Sequence, residues 1–207
     1  MNRNSESMKT SSNPAGRIAV FASGNGSNAE NIIRYFREAD RGDQVALVVT
    51  NKAEAGVISR AESLGVETCV LPPDRLRDPD IILPLLEARG VDLIVLAGFL
   101  LMVPPFLIAR YPGRIINIHP SLLPAYGGKG MYGRRVHEAV VEAGESRTGI
   151  TVHFVSEKYD EGRIIAQIPV EISPSDSAAD VESKIHRLEK EHFPRIIHET
   201  FYNNKEQ

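Results

Sequence analysis

Short apolar runs rich in β-branched residues alternate with amphipathic segments from Arg17 to His119. Arg17–Ala22, Gln44–Thr50, Val66–Leu71, Asp92–Ala97 and Ile115–His119 read as strands. Their near-continuous apolarity suits strands buried on both faces. Between them, Ile32, Ile33, Tyr35 and Phe36 form an apolar stripe with Arg34, Arg37 and Glu38 facing outward. Ala55–Leu64 reads as a second helix, and a Pro- and Asp-rich loop at Pro72–Pro79 leads into a third that runs through Ala88. Parallel strands need crossover connections, so this alternation predicts an α/β fold, doubly wound, with a mostly parallel sheet and helices on both faces.

Farther along, a helix is expected from Arg134 to about Ala143, and Thr148–Ser156 and Arg163–Val170 read as strands. The Glu157–Gly162 turn is short enough to join them as an antiparallel hairpin near the C-terminal end. Asp176 is expected to begin a last helix, with Val181, Ile185, Leu188, His192 and Ile196 at helical spacing. No internal repeat is visible. Residues 17–207 are expected to form a single domain, and Met1–Gly16, rich in Ser and Asn, a disordered extension.

A length of 207 residues suffices for one sizeable core. The net charge of −3 gives no footprint for nucleic acid. The single cysteine, Cys69, excludes an internal disulfide and suits a reducing compartment, hence a cytoplasmic location. Its place in the Val66–Leu71 run reads as a buried structural thiol. Leu93–Ala109 carries no charge, but it is shorter than the roughly 20 residues of a membrane-spanning helix. Gly98 and Pro104-Pro105 also break it, so no membrane segment is expected. The first 16 residues lack the apolar core of a secretory signal, and their only basic residues, Arg3 and Lys9, give little support to a transit peptide.

Open parallel sheets bind ligands beyond the carboxyl ends of their strands. Three features fall at that edge: the turn Gly24-Asn25-Gly26-Ser27-Asn28, the segment Gly98–Val103, and the pair Asn117/His119. A Gly-rich turn between strand and helix points backbone N–H groups at an anion, although a turn that needs positive φ for packing alone would look the same. No Gly-Lys-Ser/Thr follows, so it is not an ATP-type P-loop. With Ala29 it matches the looser dinucleotide fingerprint, yet the second strand ends at Thr50-Asn51-Lys52 without the ribose-binding acid. A phosphate monoester fits better.

Asn117 and His119 alternate with isoleucines and so share one side of their strand, which Pro120 ends. Burying both unsatisfied would cost several kcal/mol. Asp160, in the Tyr159-Asp160-Glu161-Gly162 turn, would alone read as a plain hairpin loop. An amide, an imidazole and a carboxylate together can hold an oxyanion and move a proton. His153 either supports that site or simply packs, and His137, His186, His192 and His198 read as helix-surface residues. No histidine pair has zinc spacing, so no metal is expected.

Asn117-x-His119-Pro120-Ser121-Leu122-Leu123-Pro124 followed by Asp160 resembles the formyltransferases that use 10-formyltetrahydrofolate, and the similarity runs from about Arg17 to Tyr202. Ser23–Asn28 is similar to the substrate-phosphate loop of the branch that acts on glycinamide ribonucleotide in purine synthesis. Relatives directed at tRNA or sugars carry an extra C-terminal domain, and with the sequence ending at Gln207 none is expected here.

The resemblance implies direct attack of the glycinamide amine on the formyl carbon. Asn117 would donate to the oxyanion. His119, as imidazolium, would stabilise the same oxygen or pass a proton to the departing N10, and Asp160 would charge His119 and help deprotonate the amine through water. Gly24, Asn25, Gly26, Ser27 and Asn28 would take the phosphate. Leu100, Leu101, Met102 and Val103, with Ser156, Glu157, Lys158 and Tyr159, would hold the pterin largely through backbone, which tolerates Leu101 where some members have arginine. Glu189 matches a glutamate that contacts the glycinamide, with Glu191 nearby, and Arg75 would be a counter-charge, a role for which Arg77 is an equal candidate. The loop Ala125–Arg135 departs from the shorter Lys-Tyr-Pro-Gly form of many relatives. The expected partners are two small molecules, with a homodimer left open. The competing readings are a formyltetrahydrofolate hydrolase and a non-catalytic nucleotide-binding module.

Overall fold

The computed structural model describes residues 16–38 and 44–202, so the expected N-terminal extension lies outside the described residues apart from Gly16. In chain order the elements are β1 (Arg17–Phe21), α1 (Ser27–Glu38), β2 (Val45–Thr50), α2 (Val57–Ser63), β3 (Thr68–Val70), α3 (Pro73–Leu76) and α4 (Pro79–Glu87). They continue with β4 (Val91–Leu96), α5 (Pro105–Arg110), β5 (Ile115–His119), α6 (Arg134–Glu142), β6 (Arg147–Phe154), β7 (Ile164–Glu171) and α7 (Ala178–Phe201). One seven-stranded sheet runs β3-β2-β1-β4-β5-β6-β7. The first five strands are parallel, and β6 and β7 are antiparallel, as the alternation and the hairpin turn predict.

Alternation along each strand divides the apolar residues between two cores. Ile18, Val20, Leu93, Val95, Ile116, Ile118, Ile150 and Val152 meet α1, α2, α6 and α7 on one face. Ala19, Phe21, Ile94, Leu96 and Ile115 meet Leu76, Ile82, Leu86 and Leu107 of α3, α4 and α5 on the other. That second face changes character at β5. Register pairs Asn117 with His153 and His119 with Thr151, and Gln167 of β7 pairs with Thr151. A polar row therefore continues the face that is aliphatic on β1 and β4.

Several local expectations are corrected. The Pro72–Pro79 loop contains the short helix α3, and Asp78 then caps α4 by accepting from the Asp80 N–H at 3.0 Å. β3 is an edge strand of three residues, which leaves Cys69 half-buried rather than enclosed. The last helix starts at Ala178, because Ser177 and Asp180 form a capping box and Asp176 is spent accepting from the Ser173 N–H. His137 is not on a surface. It is buried on α6 with Nδ1 unpartnered, and burial lowers its pKa below 6.5 despite the opposing charge of Glu182.

Because the folded-state pKa of His137 is depressed, the unfolded chain takes up this proton first as pH falls through about 6.5. Acidification from neutral pH to pH 5.5 should therefore lower the urea midpoint more in the native sequence than in His137→Leu. Equal shifts in the two proteins would contradict the buried, neutral assignment.

Candidate active site

A cleft of about 720 Å³ opens beyond the carboxyl ends of β1, β4 and β5. Strand order reverses between β1 and β4, and crevices at such switch points are where open α/β sheets take ligands. Ser23 knits this edge together. Its N–H donates to the Gly98 carbonyl at 3.0 Å, and its hydroxyl donates to Asn51 Oδ1 at 2.6 Å while accepting from the Leu100 N–H at 3.0 Å. The asparagine found where a dinucleotide fold would carry an acid is thus occupied in holding the turn.

The two glycines of the turn have different reasons to be glycine. Gly26 has φ of +83°, and a Cβ there would come within 2.5 Å of the Val57 backbone, so packing alone demands it. A Cβ at Gly24 would meet nothing within 4 Å, yet Gly24 lines the cleft. Neither strain nor packing therefore requires a glycine at this position. Asn25 has its side chain turned to Arg60, whose Nε donates to Oδ1 at 2.8 Å, so its backbone is what it offers the cleft. The first intrahelical bond of α1 runs from Glu30 N to Gly26 O. The N–H groups of Ser27, Asn28 and Ala29 are therefore free of helix partners, at the positive end of the helix dipole. Asn28 donates to Glu189 Oε2 at 2.9 Å, which ties the turn to α7. Glu189 is buried and burial raises its pKa, against the lowering effect of the Asn28 bond, whereas Glu191 is exposed.

On β5, hydrogen bonding orients each polar group. His153 Nδ1 lies 2.9 Å from the Phe154 carbonyl, which can only accept, so Nδ1 carries the proton and Nε2 the lone pair. That lone pair faces Asn117 Nδ2 at 3.1 Å, so the Asn117 amide must present its NH₂, with the second N–H left for the cleft. His119 Nε2 lies 2.8 Å from the Tyr126 carbonyl and donates to it, which leaves Nδ1 toward Asp160 Oδ2 at 3.6 Å. Asp160 Oδ2 also accepts from the Gly128 N–H at 2.8 Å, and Oδ1 lies 3.6 Å from His153 Nε2.

Two effects act on the charge of His119 in opposite directions. Burial lowers its pKa below 6.5 and outweighs the raising effects of Asp160 and of the Tyr126 carbonyl. The sign of the Asp160 interaction is as expected, but a residue only 4% exposed pays more for desolvation than one carboxylate returns. Burial pushes Asp160 up, but His153 and His119 in their protonated forms, together with the Gly128 N–H, bring it below the usual carboxylate value.

A second layer supports this set. The buried Thr151 hydroxyl donates to the Ser121 carbonyl at 2.6 Å and accepts from the Leu123 N–H and from Gln167 Nε2, each at 3.0 Å. Gln167 also donates to the Leu123 carbonyl at 2.9 Å. The segment after His119 is thereby fixed to β6 and β7.

The cleft brings together Gly24–Asn28, Leu100–Val103, Asn117, His119, Ser156–Asp160 and Glu189. Arg75 is not among its lining residues. It is exposed on α3, where the neighbouring Leu76 takes the place in the core. Lys129, Tyr132, Arg135 and Glu182 line the cleft without having been singled out in the sequence, as does His186, which was read only as a helix-surface residue. Helical phase sets Glu182, His186 and Glu189 along one stripe of α7, a signal available from the spacing. Among the described residues no group of three His, Cys, Asp or Glu side chains is placed to hold a metal, and no helix is long and apolar enough to cross a membrane.

Residues 16–197 match the formyl transferase family. The chain is 41% identical over 181 residues to the chloroplastic phosphoribosylglycinamide formyltransferase of Arabidopsis thaliana, covering 85% of this chain and 61% of that protein. It thus spans about three fifths of the length of that relative. It is 40% identical to the phosphoribosylglycinamide formyltransferase of Bacillus subtilis over 87% of this chain and 92% of that one. The crystal structure of glycinamide ribonucleotide transformylase 1 from Geobacillus kaustophilus superposes with a TM-score of 0.82 at 38% identity, over 90% of this chain and 99% of that one. The chain therefore belongs to the formyl transferase family, on the branch of the phosphoribosylglycinamide formyltransferases.

Proposed function

We propose that this chain transfers the formyl group of 10-formyltetrahydrofolate to the amine of glycinamide ribonucleotide, a reading supported by relatives named phosphoribosylglycinamide formyltransferase. The observation that carries the reading is the convergence, in one cleft, of an anion-ready helix N-terminus and the oriented Asn117–His119–Asp160 set. The turn from Gly24 to Asn28 takes the phosphate through backbone N–H groups. Lys129 and Arg135, lining the same cleft, add positive charge. Leu100–Val103 and Ser156–Tyr159 form the wall against which the folate rings pack, with Leu100, Met102 and Tyr159 already exposed for such contact.

As the amine nitrogen bonds to the formyl carbon, the carbonyl π electrons move to oxygen, and Asn117 donates its free N–H to that oxyanion. His119 Nδ1, neutral before the reaction, accepts the proton lost by the amine. The resulting imidazolium is stabilised by the ionised Asp160 and by the Tyr126 carbonyl, and it returns the proton to N10 as the C–N10 bond breaks. Asp160 thus acts by stabilising a proton that arrives with the substrate. Glu189 holds the turn through Asn28 and faces the glycinamide end of the cleft. A reducing compartment such as the cytoplasm suits the free thiol of Cys69.

With both substrates present, Asn117→Ala is expected to lower kcat by about 10²–10³-fold and His119→Ala by about 10²–10⁴-fold. Folding should be unchanged in both. Release of formate without the amine, at the rate of the coupled reaction, would instead identify a hydrolase. The acid limb of kcat/KM should fall below pH 6.5 and move lower still in Asp160→Asn, since loss of the carboxylate removes a charge that favours imidazolium. An upward shift would contradict this role.

Gly24→Val should raise KM for the ribonucleotide and leave thermal stability near that of the native sequence. Gly26→Ala should destabilise the protein by at least about 1–2 kcal/mol, the cost of the left-handed conformation alone. An unchanged KM in Gly24→Val would remove the phosphate from this turn.

A further inference from the structure

The groups that orient His119 and Asp160 are supplied by one three-residue stretch of backbone outside the β5 strand. The Tyr126 carbonyl accepts from His119 Nε2–H at 2.8 Å, and the Gly128 N–H donates to Asp160 Oδ2 at 2.8 Å. Positive φ at both residues, +56° and +95°, turns these two groups toward the site. Between them, a Cβ on Gly127 would lie 2.5 Å from Leu123 Cδ2 and 3.3 Å from Asp160 Cβ, so the backbone runs against both the loop and the carboxylate.

Glycine explains the conformation of residue 128 but not that of residue 126. A tyrosine in the left-handed region costs about 1–2 kcal/mol and has no local polar group to offset it. What offsets it lies outside the cleft. The Tyr126 ring packs on the helix-side core, and its hydroxyl donates to Glu145 Oε1 at 2.8 Å. Glu145 follows α6, with its N–H bonded to the Val140 carbonyl at 3.3 Å. The segment preceding Tyr126 is fixed as well, because Ser121 Oγ donates to the Ala125 carbonyl at 2.6 Å.

We propose that Tyr126 is a positioning residue: its carbonyl and the Gly128 N–H clamp His119 and Asp160 into one arrangement, and its phenol anchors that clamp to Glu145. The clamp selects the Nε2–H tautomer of His119 and so presents the Nδ1 lone pair to the amine. It holds the Asp160 oxygen where the imidazolium forms. A loop that merely covers the site would need neither the strained tyrosine nor its distant anchor. The titratable groups that act on His119 are Asp160, His153 and His137, and Nε2–H donates to none of them but to the Tyr126 carbonyl. The catalytic part of this proposal rests on the formyl transfer proposed above, whereas the tautomer selection can be read in the free protein.

The test compares Tyr126→Phe, Glu145→Ala and Glu145→Gln. Tyr126→Phe and Glu145→Ala remove the phenol–carboxylate bond, and Glu145→Gln retains an acceptor. In the first two, kcat is expected to fall about tenfold or more, as a displaced catalytic group requires, with KM for both substrates unchanged. Glu145→Gln should restore most of the rate. Nitrogen-15 spectra of the free proteins should show His119 held as the Nε2–H tautomer in the native sequence, and a mixture of tautomers in Tyr126→Phe with little change in thermal midpoint. A native kcat and a single tautomer in Tyr126→Phe would overturn the proposal, as would losses that simply track global stability. If the native protein transfers no formyl group, the catalytic reading fails, and the tautomer spectra still decide whether the clamp exists.

Discussion

A row of polar side chains on β5, β6 and β7 occupies a sheet face that is aliphatic on β1 and β4. Burial makes each of them expensive unless partnered. The chain meets that demand with fixed, single-purpose partners: Phe154 O for His153, His153 for Asn117, Tyr126 O for His119, and Ser121 O for Thr151. Satisfaction of buried groups and orientation of reactive ones are therefore the same set of hydrogen bonds. The consequence is a site whose donors and acceptors are arranged before substrate arrives, which is the condition for electrostatic stabilisation without reorganisation.

The same face also sets the charge. Burial of the imidazole lowers the pKa of His119 and outweighs the raising effect of Asp160, which favours the proton-accepting role proposed for it. That fits an amine nucleophile, which must lose a proton as its bond forms. The cleft couples this chemistry to binding through the switch point. Ser23 fastens the ends of β1, β2 and β4, and the Asn28–Glu189 bond ties the Gly24–Asn28 turn to α7.

Much of this was legible in the residues. The β5 strand has the bounds that its isoleucines and Pro120 suggest, and period-2 spacing places Asn117 and His119 on one face. The three ligand-edge segments converge because parallel strands end together. Partner identity was less legible. Nothing local to His119 says that burial outweighs Asp160, or that the carbonyl of a left-handed Tyr126 holds its ring. His137 was misplaced because α6 is covered on a second side by α7, which its own periodicity does not record. Arg75 is not among the residues that line the cleft, and Leu76 takes the core position on that turn. The loop from Gly127 to Gly133 has no periodicity to read, yet it supplies Lys129 and Tyr132 to the cleft.

The central claim is that the polar face of β5 and the Gly24 turn act on one pair of substrates at once. A crystal structure with glycinamide ribonucleotide and a non-transferable formyl-folate analogue tests it most directly. The account predicts the phosphate on the N–H groups of Ser27, Asn28 and Ala29, with the analogue's carbonyl oxygen about 2.7–3.1 Å from Asn117 Nδ2 and the amine facing His119 Nδ1. A phosphate bound away from the turn, or a carbonyl turned from Asn117 with both substrates in place, would contradict it.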